Sequence, residues 1–141
     1  MPYLTDTELD LTPKTLKKYF VSSAHRRYQK DKSRWTISID NEIECFVNSQ
    51  TSNWIEDLVS WGVFQQGNNL LNIGVNPQRL PLKIAKFVDC SGDDIWHGYP
   101  ADYARNYQDR PGMLVLQNWR ERGIIEKHHI IKIRQGKECN L

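Results

Sequence analysis

Between Asp93 and Tyr107 the chain gathers three acids, a histidine, an arginine and four large aromatics: Asp93, Asp94, Trp96, His97, Tyr99, Asp102, Tyr103, Arg105 and Tyr107. A histidine near carboxylates can hold or move a proton. His97 is therefore a candidate general base, with Asp94 or Asp102 as its orienting partner, Arg105 to hold an anionic group and Tyr99 or Tyr103 to donate a hydrogen bond. That set describes a small hydrolase-like enzyme. It lacks a Ser or Cys in a recognisable nucleophile context, and neighbours along a loop need not converge in space.

The same residues suit recognition. Tyr, Trp and Arg bury large area at modest entropic cost and keep a polar end for a hydrogen bond. Trp96, Tyr99, Tyr103 and Arg105 are the anchors expected to contact a protein partner. A binding or regulatory role through protein–protein interaction is the preferred reading of the sequence.

Charge supplies the other alternative. The net charge is only +2, yet residues 14–34 carry eight Lys/Arg against Asp31, residues 40–102 carry nine acids against three bases, and residues 120–137 carry six Lys/Arg against two Glu. Basic, acidic and basic blocks follow one another. If the two basic blocks share a face, Arg26, Arg27 and Lys30 with Lys127, Lys132 and Arg134 make a phosphate-attracting patch for nucleic acid. If they neutralise the acidic middle, the segregation is structural. The pI of about 8.4 lies below the level of about 9 typical of nucleic-acid-binding domains, which favours the second account.

Metal chemistry is not expected. Cys90, His97, Cys139 and His128 or His129 are ligand types that suit zinc, but no Cys-x-x-Cys or His-x-x-x-His pair prearranges them. No cofactor motif is present. Three scattered cysteines, no apolar run near the ~20 residues that span a bilayer and no basic-then-apolar leader point to a soluble cytoplasmic protein, not a membrane one.

The elements that must position these residues follow from pattern. At 141 residues one globular domain over 1–141 is expected, and five Trp, six Tyr and four Phe promise an aromatic core. Thr12-Pro13 with Leu11 and Leu16 reads as the start of an N-terminal helix running to about Tyr28. Trp35–Ile39 and Ile43–Val47 read as a β-hairpin, and Asn53 with Glu56 as a capping box opening a second helix that Gly62 ends. Between Val63 and Val75 strands are expected on either side of the turn at Gln65–Asn69, the second over Leu70–Val75, and a short helix from Pro81 with Ile84, Phe87 and Val88 inward. Asp109-Arg110-Pro111 starts a helix through Val115, Leu116 and Trp119 that Gly123 ends, and Glu126–Gln135 forms the last, with Ile130, Ile131 and Ile133 inward and a strand over His129–Ile133 as the alternative. The pair has the size of a helix-turn-helix. The expected fold class is α+β: an N-terminal helix, a small antiparallel sheet around residues 35–75 and a helical C-terminal third.

Overall fold

Three strands of five to seven residues form the frame, and each is apolar enough to be covered on both faces. A computed structural model describes residues 5–12, 15, 17–89 and 91–141, with eleven strands and three α-helices among them. In chain order they are β1 Glu8–Asp10, β2 Lys18–Phe20, β3 Arg34–Trp35, α1 Ile39–Thr51, β4 Ile55–Glu56, β5 Val59–Val63, β6 Gln65–Gln66, β7 Asn69–Leu70, β8 Gly74–Val75, β9 Pro81–Leu82, β10 Ile84–Val88, β11 Ile95–Ala101, α2 Met113–Glu121 and α3 Lys127–Gln135. The main sheet runs β1-β2-β11-β10-β5-β4. Its centre, β10, is antiparallel to both β5 and β11, whereas β2 joins β11 in parallel. A three-stranded sheet, β3-β8-β9, and the hairpin β6-β7 complete the set.

Strand alternation separates two cores. Phe87 lies opposite Gly98 and Ser60, and this face receives α1: Ser49 of the helix meets Ser60 at 3.0 Å, while Cys45, Phe46, Trp96 and Phe87 pack together with Tyr19. On the other face Trp61, Val63, Ile84 and Ala101 pack against Val115, Leu116 and Trp119 of α2 and Ile130 and Ile133 of α3. The Pro100 ring interrupts no ladder. Beyond Trp96 no strand among the described residues pairs with the outer edge of β11, and its carbonyls accept from side chains instead: Trp35 Nε1 to Gly98 O at 3.3 Å and Ser33 Oγ to Pro100 O at 2.6 Å.

This mainly sheet architecture corrects the expected α+β arrangement. Pro13, Lys14 and Leu16, which carried the N-terminal helix signal, lie outside the described residues. Downstream of them Lys18–Phe20 is a strand, because Tyr19 is fully buried against Phe46 and Phe87 with its neighbours outward, and only a short 3-10 turn follows at Ser23–His25. The second half of the expected 35–47 hairpin is helical. Ser38 caps α1 by accepting from Asn41 N at 3.2 Å, Asp40 and Glu42 sit in the first turn where acids are favoured, and Ile43, Phe46 and Ser49 recur at helical spacing. The expected helix at Asn53 is a hairpin instead: Asn53 and Asp57 adopt φ of 57° and 54°, and Ile55 pairs with Ser60. The run after Pro81 is two strands, since Ile84, Ala85, Lys86 and Phe87 are all buried and a helix would expose part of such a run.

Two other expectations match in whole or in part. The turn expected at Gln65–Asn69 is a hairpin, but its strands, Gln65–Gln66 and Asn69–Leu70, lie inside the expected turn around Gly67 at φ +62°, and the expected strand Leu70–Val75 divides between β7 and β8; α2 and α3 lie where two helices were expected, with Gly123 and Gly136 left-handed at their ends. Ile131 is an exception, 48% exposed on the outer side of α3.

Gly74 sits where β8 crosses over β11, and a methyl group there would overlap Arg34 O and the Pro100 ring, neither of which can swing away. Gly74→Ala should lower stability by about 2 kcal/mol as overpacking. Gly67→Ala, left-handed but facing open space, should cost only about 1 kcal/mol. Urea unfolding of the two variants checks the difference.

Candidate functional site

Lys86 stands at the middle of the central strand and is almost fully buried. An ammonium there needs a partner, and Asp109 supplies it at 3.5 Å, 2% exposed itself. The Asp109 carboxylate also accepts from Tyr99 Oη at 2.8 Å and from Asp102 N at 2.9 Å, while Lys86 Nζ donates to Gln108 O at 2.6 Å and lies 5.7 Å from the Tyr99 ring centre. Trp61 Nε1 donates to Asp109 O. One carboxylate thus closes the loop Asp102–Asp109 on itself and ties it to the sheet. On the outer side of the pinned loop, Tyr107 is 78% exposed with the Arg110 guanidinium 5.0 Å from its ring.

Two clefts flank this loop and share Asp102 and Arg105 as their dividing wall. One, of about 450 Å³, opens toward the His25–Ser33 segment and is lined by His25, Lys30, Tyr99, Asn106 and Gln108 among others. The second, of about 390 Å³, lies between residues 80–83 and the segment Glu138–Leu141. Asp102 is buried, accepting from Arg105 at 3.1 Å and from Asn76 Nδ2 at 3.2 Å. Arg105 turns its other nitrogen to Glu138 at 2.8 Å.

His25 stacks on Tyr99 with centroids 5.2 Å apart and donates Nδ1–H to Ser33 O at 3.0 Å, so the neutral ring carries its lone pair on Nε2. Burial depresses its pKa against the opposing hydrogen bond to Ser33 O, and the nearby Lys32 and His97 add to the depression. His97 is half-buried on the same sheet face as Tyr99; burial lowers its pKa, opposed by the Asp89 carboxylate. The carboxylates expected to orient it are engaged elsewhere. Asp94, 62% exposed, pairs with Lys17 at 2.9 Å, and Asp102 holds Arg105 and Asn76. His25 lines the first cleft.

The structure divides the other expected site residues. Trp96 is 2% exposed and belongs to the core. Tyr99 and Tyr103 are half-buried, one bound to Asp109 and the other to Lys137 O and Cys139. Arg105 is 39% exposed at the rim of both clefts. Among the basic candidates Arg26 is internal: it donates to Ile37 O and to Glu42, itself 1% exposed, and Glu42 also accepts from Tyr19 at 2.5 Å. Burial raises the Glu42 pKa, and the Tyr19 hydroxyl and Arg26 pull it back. Arg27, Lys30, Lys127, Lys132 and Arg134 are exposed.

Cys90 lies outside the described residues, so the drawn metal set is incomplete. Among the described residues Glu126, His128 and His129 offer ligand atoms within 4.8 Å. His129 has no lone pair to give, since Nδ1 accepts from Glu126 N and Nε2–H donates to Asn140 O. No helix among the described residues is long and apolar enough to cross a membrane.

Pattern reading missed Lys86, Asp109 and Glu138. The first carried a signal: a single lysine inside Ile-Ala-Lys-Phe-Val is a charge in a fully buried strand and requires an acid from elsewhere. Which acid answers it is not local information.

Two predictions follow from these contacts. Asp109→Asn should leave Lys86 buried without a counter-charge and lower stability by about 3 kcal/mol, measured by urea unfolding. Because the fold favours neutral His25 and His97, their contribution is complete above about pH 6.5 and is withdrawn as pH falls below it. The double variant His25→Asn/His97→Asn should therefore lose less stability than wild type between pH 7.5 and 5. An unchanged difference between the two pH values would refute the assignment.

No family model, no curated protein and no solved structure matches this chain, so the argument for function rests on the arrangement of these groups.

Proposed function

We propose that the protein is a small recognition module that binds a partner protein through the Asp102–Asp109 loop. The observation that carries this reading is the pinning of that loop by buried Asp109, which holds Arg105 and the exposed Tyr107 in place before any partner arrives. A loop already ordered loses little conformational entropy on binding. Tyr and Arg are also the side chains that dominate interface energetics. The Arg110 guanidinium over Tyr107 orders the ring further, and the polar cleft beside it gives a partner's side chain room to enter.

Nucleic-acid binding has weaker support, because Arg26 is committed to Glu42 inside the fold. Catalysis by His97 has weaker support as well, with Asp94 and Asp102 held by Lys17, Asn76 and Arg105.

The test is capture from native cell extract on the immobilised chain, with nuclease treatment, followed by calorimetry with the partner identified. Tyr107→Ala and Arg105→Ala should each weaken the complex about tenfold or more while the urea midpoint stays near wild type. A complex lost on nuclease treatment, or one indifferent to both substitutions, would overturn the proposal.

A further inference from the structure

The segment Lys137–Leu141 leaves α3 without regular secondary structure and forms one wall of the second cleft as a strap, and it is held at every residue by side chains of the body. Tyr103 Oη donates to Lys137 O at 3.1 Å and accepts from Cys139 N at 3.2 Å. Arg105 pairs with Glu138 at 2.8 Å, His129 Nε2 donates to Asn140 O at 2.9 Å, and Lys83 Nζ donates to an oxygen of Leu141 at 2.7 Å. Cys139 and Leu141 pack their side chains against the core beside Tyr103, while Lys137, Glu138 and Asn140 are exposed.

Those contacts divide by what they read. Four engage main-chain atoms, which any peptide presents. Among the described residues, side chains are read at three places: an acid by Arg105, a small apolar group beside Tyr103 and a larger apolar group two residues further on. The strap itself is little buried, and its ion pair with Glu138 is 66% exposed on the acid's side, the kind of contact that contributes about 1 kcal/mol or less. It covers a built receptor with a weak latch.

We infer that the surface beneath this segment, along the edge of the second cleft, is a receptor for an extended peptide with the pattern acid, small apolar, any, large apolar, and that Lys137–Leu141 occupies it as an intramolecular competitor. Opening the strap frees Arg105, and in this respect the inference rests on the reading of Arg105 as a recognition residue. The partner thus offers an acidic, extended stretch of chain to a site already shaped for one. A strap open for about a tenth of the time lowers apparent affinity about tenfold.

The experiment titrates the peptide acetyl-Lys-Glu-Ala-Asn-Leu into the isotope-labelled full chain and follows the amide resonances of Lys83, Tyr103 and Arg105. Glu138→Lys places like charges together, releases the strap and should tighten peptide binding about tenfold over wild type; Glu138→Gln should shift affinity in the same direction by less. Amide exchange should rise at residues 137–141 in both variants and stay unchanged in β10. Replacing the peptide's Glu with Gln should weaken it by up to about fivefold. Unmoved resonances in Glu138→Lys, equal affinity for wild type and variant, or equal binding of the two peptides would each overturn the inference. Peptide binding that fails while Tyr107-dependent capture persists removes the strap and leaves the loop; the converse removes the loop and leaves the receptor.

Discussion

The Lys86–Asp109 contact is the constraint from which the rest of the site follows. A lysine at the centre of a five-residue buried strand can be tolerated only if a carboxylate reaches it, and the acid that does so lies beyond the end of β11. For Asp109 to arrive there, the chain leaving Ala101 must turn back over the sheet within eight residues. The return is closed by Asp102 N–H donating to the same carboxylate, so the ion pair and the loop are one structure. Helix α2 begins four residues later, and its Val115, Leu116 and Trp119 come down on the sheet face that carries Trp61 and Ile84. The placement of the helical layer follows from the charge inside the sheet.

A second buried network does similar work on the opposite face. Glu42 joins α1 to Tyr19 of β2 and to Arg26, and thereby anchors the segment that leads to the His25–Ser33 wall of the first cleft. In both networks a fully buried carboxylate carries two or more donors, which satisfies it and fixes the elements that supply them. The polar residues of the chain therefore divide into those that determine geometry, Lys86, Asp109, Glu42 and Asp102, and those that the geometry presents, Arg105, Tyr107, His25 and Lys30. The proposed recognition uses the second group and depends on the first.

How much of this was legible varied by element. The closing helices were readable because their apolar stripes at 3.6-residue spacing and their terminal glycines are local signals. Helix α1 was legible in principle: Ser38 with Asp40 and Glu42 is a cap followed by first-turn acids, but the short β-branched runs around it imitated strands. Asn53–Glu56 imitated a capping box and is a turn, since Asn tolerates the left-handed region as readily as it caps. At β10 a buried run of five looked helical because periodicity alone cannot separate a strand covered on both faces from a buried helix. Of the site, the segment 93–107 was found as the place to examine, while its core member Trp96 and its surface member Tyr107 could not be told apart. Both are aromatic, and burial is decided by which face of β11 or which side of a loop they occupy.

What the sequence determined by itself is the inventory and the local grammar: an aromatic core, segregated charge, two terminal helices with glycine ends and a dense polar segment after Gly92. Tertiary structure decided the rest. It chose Asp109 as the partner of Lys86 across 23 positions of chain, Glu42 as the partner of Tyr19 and Arg26, and Glu138 as the partner of Arg105. These are pairings between distant residues, and Coulomb attraction in a dry interior depends on separation in space, which spacing along the chain does not reveal.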